Sequence, residues 1–214
     1  MSLDSNPMGF GVILLAAGAS SRMGRPKMLL PWNGTSILGH LIATWQRVAV
    51  GQIAVVVSEN GGVVSELDRL GFSEGGRIVN PNPEEGMFSS IRVAALWSGW
   101  KETLSHWVIV LGDQPHLSEE LLAALVNHTA QHPEAVCQPG RGGRPRHPVV
   151  VPENVFGRLR TTRCGNLKQF LAAEGVPVSL MNRDDPGLDF DLDRPADYAW
   201  AVSHGMTGGG VGGA

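Results

Sequence analysis

Apolar positions along this chain fall into two alternating patterns. Continuous apolar runs occur at Phe10 to Leu15, Ile53 to Val57 and Trp107 to Leu111, and a shorter one at Arg77 to Val79. Strands exposed on one face alternate apolar with polar residues, whereas these do not, so they predict strands covered on both faces. Between them, helical spacing predicts helices over Ile37 to Val48, Val63 to Leu70, Ser89 to Trp100 and Ser118 to Gln131. The last has Ser118 as its cap and Glu119 and Glu120 in its first turn. Strand and helix in alternation predict an α/β fold: a three-layer sandwich with a mostly parallel sheet and helices on both faces.

The pattern loosens after Gln138. Pro139 to Pro148 is rich in Gly, Pro and Arg and is expected to be a loop. A strand is expected over His147 to Val151, helices near Glu153 to Arg160 and Asn166 to Glu174, and late strands at Val176 to Leu180 and Phe190 to Leu192. A final helix should begin at Pro195, since proline suits a first turn. With 214 residues and no linker or internal repeat, one domain over residues 9–204 is expected, followed by a flexible Gly-rich tail over 205–214.

Composition narrows the class. Hydrophobic residues make up 43% and charged residues 17%, with a net charge of −3, which fits a globular chain with no basic excess for nucleic acid. Neither an 18-residue apolar run nor a leader pattern is present, so no membrane association is expected. Two cysteines, Cys137 and Cys164, lack metal or redox spacing and fit free thiols in a reducing cytoplasm.

The chemistry concentrates in the loop after the first strand, Leu15 to Lys27. In open α/β sheets, ligands bind beyond the carboxyl ends of strands. Gly18 and Gly24 permit close backbone approach, and Ala16, Ala17, Ala19, Ser20 and Ser21 leave room. Arg22, Arg25 and Lys27 add three cations, so N–H donors and positive charge converge as a triphosphate requires. A P-loop is excluded because Arg25 and Pro26 follow Gly24, and a dinucleotide fingerprint from Gly9 and Gly11 is broken at Leu14. Asp113 follows the Trp107 to Leu111 run, where one carboxylate plus phosphate oxygens could hold Mg²⁺. If the stretch Asp189 to Asp193 is extended, Asp189, Asp191 and Asp193 share one face, and a second metal carboxylate follows.

Together these residues resemble the molybdenum cofactor nucleotidyltransferases, within the glycosyltransferase-A-like nucleotidyltransferases. The family motif L-A-A/G-G-x-S-x-R-M-G-x-x-K is met at Leu15, Ala16, Ala17, Gly18, Ser20, Arg22, Met23, Gly24 and Lys27. Asn80 with Gly86 to Ile91, Gly112 to Pro115, and Asp191 to Asp197 are similar to three further elements of that family. The resemblance implies a Mg²⁺-dependent transfer of CMP from CTP to a phosphorylated, molybdopterin-like acceptor, with a molybdenum hydroxylase apoenzyme downstream. It implies that N–H groups around Ala19 to Gly24 hold the triphosphate. Arg22 would neutralise the departing pyrophosphate and Lys27 the α-phosphate. Asp113, with Asp193 or Asp191, would hold the metal, and Asn80 and Ser90 would lie toward the nucleoside. An Ala17 start is associated with CTP users and a glycine there with GTP users. The rivals are the same transfer to a sugar or polyol phosphate or from GTP, a nucleotide-sugar glycosyltransferase, and a silent nucleotide-binding maturation factor.

The acceptor side is less regular. The family's G-D-x-G-x-R element corresponds to Thr162 to Lys168, where only Gly165 is retained and Arg163 and Lys168 bring positive charge. Arg146 and His147, in the Gly/Pro-rich loop with Arg141 and Arg144, are further acceptor candidates. His128 and His132 have the spacing of two zinc ligands but no third, and read as surface histidines.

Overall fold

In a computed structural model, residues 8–48, 50–59 and 62–207 are described. Among these residues the strands are β1 (Gly9–Leu15), β2 (Pro31–Trp32), β3 (Thr35–Ser36), β4 (Gln52–Ser58), β5 (Arg77–Asn80), β6 (Leu104–Leu111), β7 (Val136–Arg141), β8 (Arg144–Pro145), β9 (Val149–Pro152) and β10 (Val178–Asn182). The helices are α1 (Ile37–Arg47), α2 (Val63–Arg69), α3 (Met87–Leu96), α4 (Glu119–Gln131), α5 (Glu153–Arg158), α6 (Leu167–Glu174) and α7 (Pro195–Ser203).

The main sheet runs β10-β7-β9-β6-β1-β4-β5, with β8 paired to β7. β1 pairs in parallel with β4 and β6, β4 with β5, and β7 with β10, whereas β9 runs antiparallel to both β6 and β7. One face buries Ile13, Val56 and Ile109 against Phe88 and Ile91 of α3 and Phe156 and Phe170 of α5 and α6. The other buries Leu14, Val55 and Val57 against α1 and α2, and Val12, Val108 and Val150 against Trp45 and Leu125 of α1 and α4. Adjacent residues of β1 thus enter opposite layers, which is why its run is apolar throughout. The three-layer arrangement expected from the pattern is the one observed.

Several elements differ from expectation. Helix α3 begins at Met87, two residues early, because Gly86 turns the chain in with φ +93°. It ends at Leu96, where Trp97 is already extended and Trp100 folds back to donate Nε1–H to the Ala94 carbonyl at 2.8 Å. The expected loop over 139–148 instead opens inside β7 and turns at Gly142 and Gly143, both with positive φ, into β8. No strand forms at 190–192: Pro186–Asp189 is a 3-10 turn, and the chain continues as an irregular strap. Most of the expected tail lies outside the described residues; the Met206 N–H donates to the Ala201 carbonyl at 3.0 Å. Among the described residues, no helix is long and apolar enough to cross a membrane.

Candidate active site

The carboxyl ends of β1 and β6 open onto a cleft of about 410 Å³. The β1 loop, from Leu15 to Ser20 with Arg22, Lys27 and Met28, forms one wall; Gly112 and Asp113 form the floor, and Pro83, Gly86, Met87 and Ser90 the far side. Behind the loop lies a second hollow of about 500 Å³ lined by Ala16 to Ala19, Ser58, Asn80 and Pro83. The loop's backbone therefore stands between two spaces that a nucleotide can occupy.

Local geometry explains why the loop presents its N–H groups. The Ala16 N–H still donates to Val56 of β4, and the Met23 N–H closes a tight turn on the Ser20 carbonyl. Between them, loop N–H groups find no protein acceptor among the described residues, and a bound anion is the partner such a nest takes. Ser20 adopts a left-handed conformation, φ 50°, and its Oγ accepts from the Lys27 N–H at 3.1 Å, which closes the loop on itself. A Cβ on Gly18 would meet no atom and project into open space. Met23 is buried and anchors the loop in the core.

Charged groups are paired across this cleft. The Lys27 ammonium lies 3.6 Å from Asp113 Oδ2, with 16% and 21% of the two side chains exposed. Arg22 donates to Asp193 Oδ2 at 2.6 Å near the surface. Asp113 Oδ1 is buried with no hydrogen-bond partner. Burial pushes the Asp113 carboxyl above its ordinary range; Lys27 opposes this, while Asp191 and Asp193 add to it. Asp191 and Asp193 reach the site on the strap, whose Leu192 N–H donates to the Asp113 carbonyl at 2.9 Å. Gln114 Nε2–H donates to Asp191 Oδ1 at 2.9 Å. Asp197, in the first turn of α7, accepts from the Asp193 and Arg194 N–H groups and fixes the end of the strap.

Asp189 does not join these carboxylates. The 3-10 turn at Pro186 breaks the period-two pattern, and Asp189 pairs instead with Arg141 and Arg146. Those two guanidiniums hold its carboxyl below the usual range. Arg146 is thereby engaged in an ion pair. His147 stands two residues before Val149, which faces Ile109 of β6, so it is level with Leu111 at the same end of the sheet. Burial lowers its pKa and its Nδ1 has no partner. Arg163 and Lys168 are exposed and do not line the cleft.

Asn80 and Ser90, expected beside the nucleoside, are joined: Asn80 Nδ2–H donates to Ser89 and Ser90 Oγ at 2.8 and 2.9 Å. Asn80 is buried and also accepts from the Asn82 N–H, so it shapes the turn that carries Pro83 and Gly86 into the cleft wall. Sequence reasoning gave no role to Met28 or Gln114. A Cβ on Gly112 would sit 2.4 Å from Met28 Sδ, so Met28 packs directly over the Asp113 turn. That glycine was the available signal. His128 bonds Ser179 Oγ and stacks on His132, and among the described residues no group of three His, Cys, Asp or Glu side chains could enclose a metal.

Known proteins share the domain and its fold. Residues 12–178 match the MobA-like NTP transferase domain. The molybdenum cofactor cytidylyltransferase of Escherichia coli is 26% identical over 192 residues, covering 88% of this chain and 93% of that protein. The nicotine blue oxidoreductase of Paenarthrobacter nicotinovorans is 27% identical over 189 residues, covering 85% and 90%. The crystal structure of Rv0371c from Mycobacterium tuberculosis superposes with a TM-score of 0.73 at 25% identity, covering 92% of this chain and 98% of that one. A glycine-rich loop with free N–H donors, two cations and facing carboxylates, set in a domain matched over most of its length, makes this chain a nucleotidyltransferase of the MobA-like NTP transferase family.

Proposed function

We propose that the protein transfers CMP from CTP to a phosphorylated acceptor of the molybdopterin type, with Mg²⁺, and releases pyrophosphate. The observation that carries this reading is the pairing of Lys27 with Asp113 and Arg22 with Asp193 around a loop of unpaired N–H groups. A triphosphate needs donors and cations, and the carboxylates answer the divalent ion that accompanies it.

The chain's groups divide the work. N–H groups of Ala19 to Arg22 bind the phosphates, whereas those of Met23 and Gly24, expected among them, are taken by the Ser20 and Ser21 carbonyls; Arg22 leaves Asp193 to take the charge that builds on the departing pyrophosphate. Lys27, largely shielded from solvent, holds the α-phosphate where its charge counts most. An oxygen of the acceptor phosphate attacks the α-phosphorus. That P–O bond forms as the bond to the β-phosphate oxygen breaks, and pyrophosphate leaves on the opposite side. The attacking oxygen is already ionised at neutral pH, so no side chain has to remove a proton. Positioning and charge stabilisation carry the rate.

The residues fit a magnesium ion. Asp113 offers a buried, unpartnered carboxylate oxygen, and Asp193 or Asp191 stands across from it on the strap. Two carboxylates are too few to enclose an ion alone but suffice for Mg²⁺, which keeps water and phosphate oxygens in its shell. When bound, it supplies charge neutralisation and polarisation at the phosphates. We favour Asp193, because its Arg22 partner belongs to the triphosphate loop.

CTP is favoured over GTP by Ala17, a buried residue of the loop segment that lines both hollows, where a glycine would leave more room for a purine. Arg144, Arg163 and Lys168 are the candidate acceptor cations that make no ion pair among the described residues, whereas Arg141 and Arg146 are engaged by Asp189. Pyrophosphate release from each of the four nucleoside triphosphates, with and without molybdopterin, tests the reading. Release confined to CTP plus acceptor is expected; none with any pair refutes it.

A further inference from the structure

The strap from Phe190 to Asp193 brings two carboxylates to the cleft, yet it belongs to no strand or helix. Its backbone makes one hydrogen bond to the Asp113 turn, through Leu192 N–H. Asp197 holds its far end. The side chain that reaches from the Asp113 turn to an acidic side chain of the strap is Gln114.

Gln114 is unusual in its surroundings. It is only 7% exposed and sits beside Leu41, Trp45, Leu117 and Pro148, an apolar setting for a primary amide. A buried amide must satisfy its donors or carry a desolvation cost. Gln114 does so on Asp191 Oδ1 at 2.9 Å, and this bond spans 77 residues of sequence. A neutral donor suits the place: it fixes one carboxylate oxygen and leaves the acidic charge intact. An arginine there would cancel that charge, and an apolar residue would leave Asp191 free to swing into solvent. Partners of this kind, one layer behind a metal-binding carboxylate, orient the ligand and tune its affinity.

We propose that Gln114 is a positioning residue for the acidic strap: its amide holds Asp191, and with it the segment carrying Asp193, against Asp113, so that the carboxylates face one another before a divalent cation arrives. This rests on the metal reading given above. It concerns no group that touches the nucleotide, and it gives a role to the third residue of the Gly112 to Pro115 turn.

The test uses the full chain with CTP and no acceptor, and Mn²⁺ as the probe, followed by electron paramagnetic resonance of the free ion. Gln114→Met keeps length and volume and removes the donor. Its Mn²⁺ affinity should fall about tenfold, the lower end of what such outer partners contribute. CTP binding without metal should not move. Asp191→Asn should weaken Mn²⁺ as well, and the double variant should be no worse than the weaker single one, because both changes break one linkage. If Gln114→Met does not fold, Asp191→Ala removes the exposed end of the same bond and should show the same loss. Asp113→Asn separates the two layers of the argument. If it leaves Mn²⁺ binding unchanged, the metal reading itself is wrong. If it abolishes binding while Gln114→Met or Asp191→Ala stays within about twofold of the parent, or if the two changes multiply, Gln114 does not position the strap.

Discussion

Replacing Asp113 by Asn should destroy turnover and stabilise the apoprotein, and the two effects have separate origins. At 3.6 Å from Lys27, an effective dielectric near 20 gives an attraction of about 4–5 kcal/mol for the ionised carboxylate. Burial, together with Asp191 and Asp193, outweighs that attraction, since the carboxyl sits above its ordinary range. The ionised form therefore costs the folded state free energy at neutral pH. The sign follows from proton linkage. The folded protein keeps the Asp113 proton to higher pH than the unfolded chain, so stability falls as pH rises from the ordinary carboxylate value to the raised one, and is flat above it. Asn has no such penalty. In the presence of a chelator its melting temperature should exceed the parent's near pH 7 by roughly 2–4 °C, the equivalent of about 1 kcal/mol in a chain this size. The gap should close toward pH 3. Turnover with CTP, Mg²⁺ and acceptor should fall about a thousandfold, the equivalent of roughly 4 kcal/mol of lost charge stabilisation. Differential scanning fluorimetry across pH and a pyrophosphate-release assay measure both. A lower melting temperature at pH 7, or turnover within tenfold of the parent, would contradict the reasoning.

Other substitutions probe separate parts of the site. Ala17→Gly removes a methyl from the cleft-lining loop, and the ratio of kcat/KM for CTP over GTP should fall about tenfold; an unchanged ratio means base choice lies elsewhere. Asp189→Asn should leave kcat/KM and the Mg²⁺ requirement within about twofold, because Asp189 pairs with Arg141 and Arg146 and not with the cleft; a tenfold loss would return it to the metal site. Since those arginines lower its carboxyl, its contribution to stability is present above the ordinary carboxylate range and lost as pH falls through the lowered value, so the variant should show a shallower acid limb. Arg163→Asp should raise KM for the acceptor about tenfold with KM for CTP fixed; if neither moves, the loop before α6 is a bystander.

What could be read from the sequence was what is continuous in it. The β1 run and the loop after it are adjacent, so strand, nest and cations were all legible from Phe10 to Lys27. Strand β7 was hidden because Pro139 and Gly140 stand inside it; the pairing of β7 with β8, β9 and β10 overrides their poor strand propensity. The acidic strap was half legible. Three aspartates at alternate positions looked like one face, but that holds only for an extended chain, and Pro186 starts a turn that sends Asp189 away. The contacts that complete the site span distances that pattern cannot see: Arg22 meets Asp193 across 171 residues, and Gln114 meets Asp191 across 77. Gln114 carried no local signal beyond its place beside Asp113, because a buried amide and a surface glutamine look the same in sequence.

The most direct test of nucleotidyl transfer follows the α-phosphate itself. CTP labelled at the α-phosphorus is incubated with the protein, Mg²⁺ and molybdopterin, and the label is traced alongside pyrophosphate. The account predicts that the label moves to the acceptor, one pyrophosphate is released for each label transferred, and Lys27→Met nearly abolishes both. Label that stays in CTP or appears only in free CMP, or a phosphate transferred from the γ-position, would contradict it.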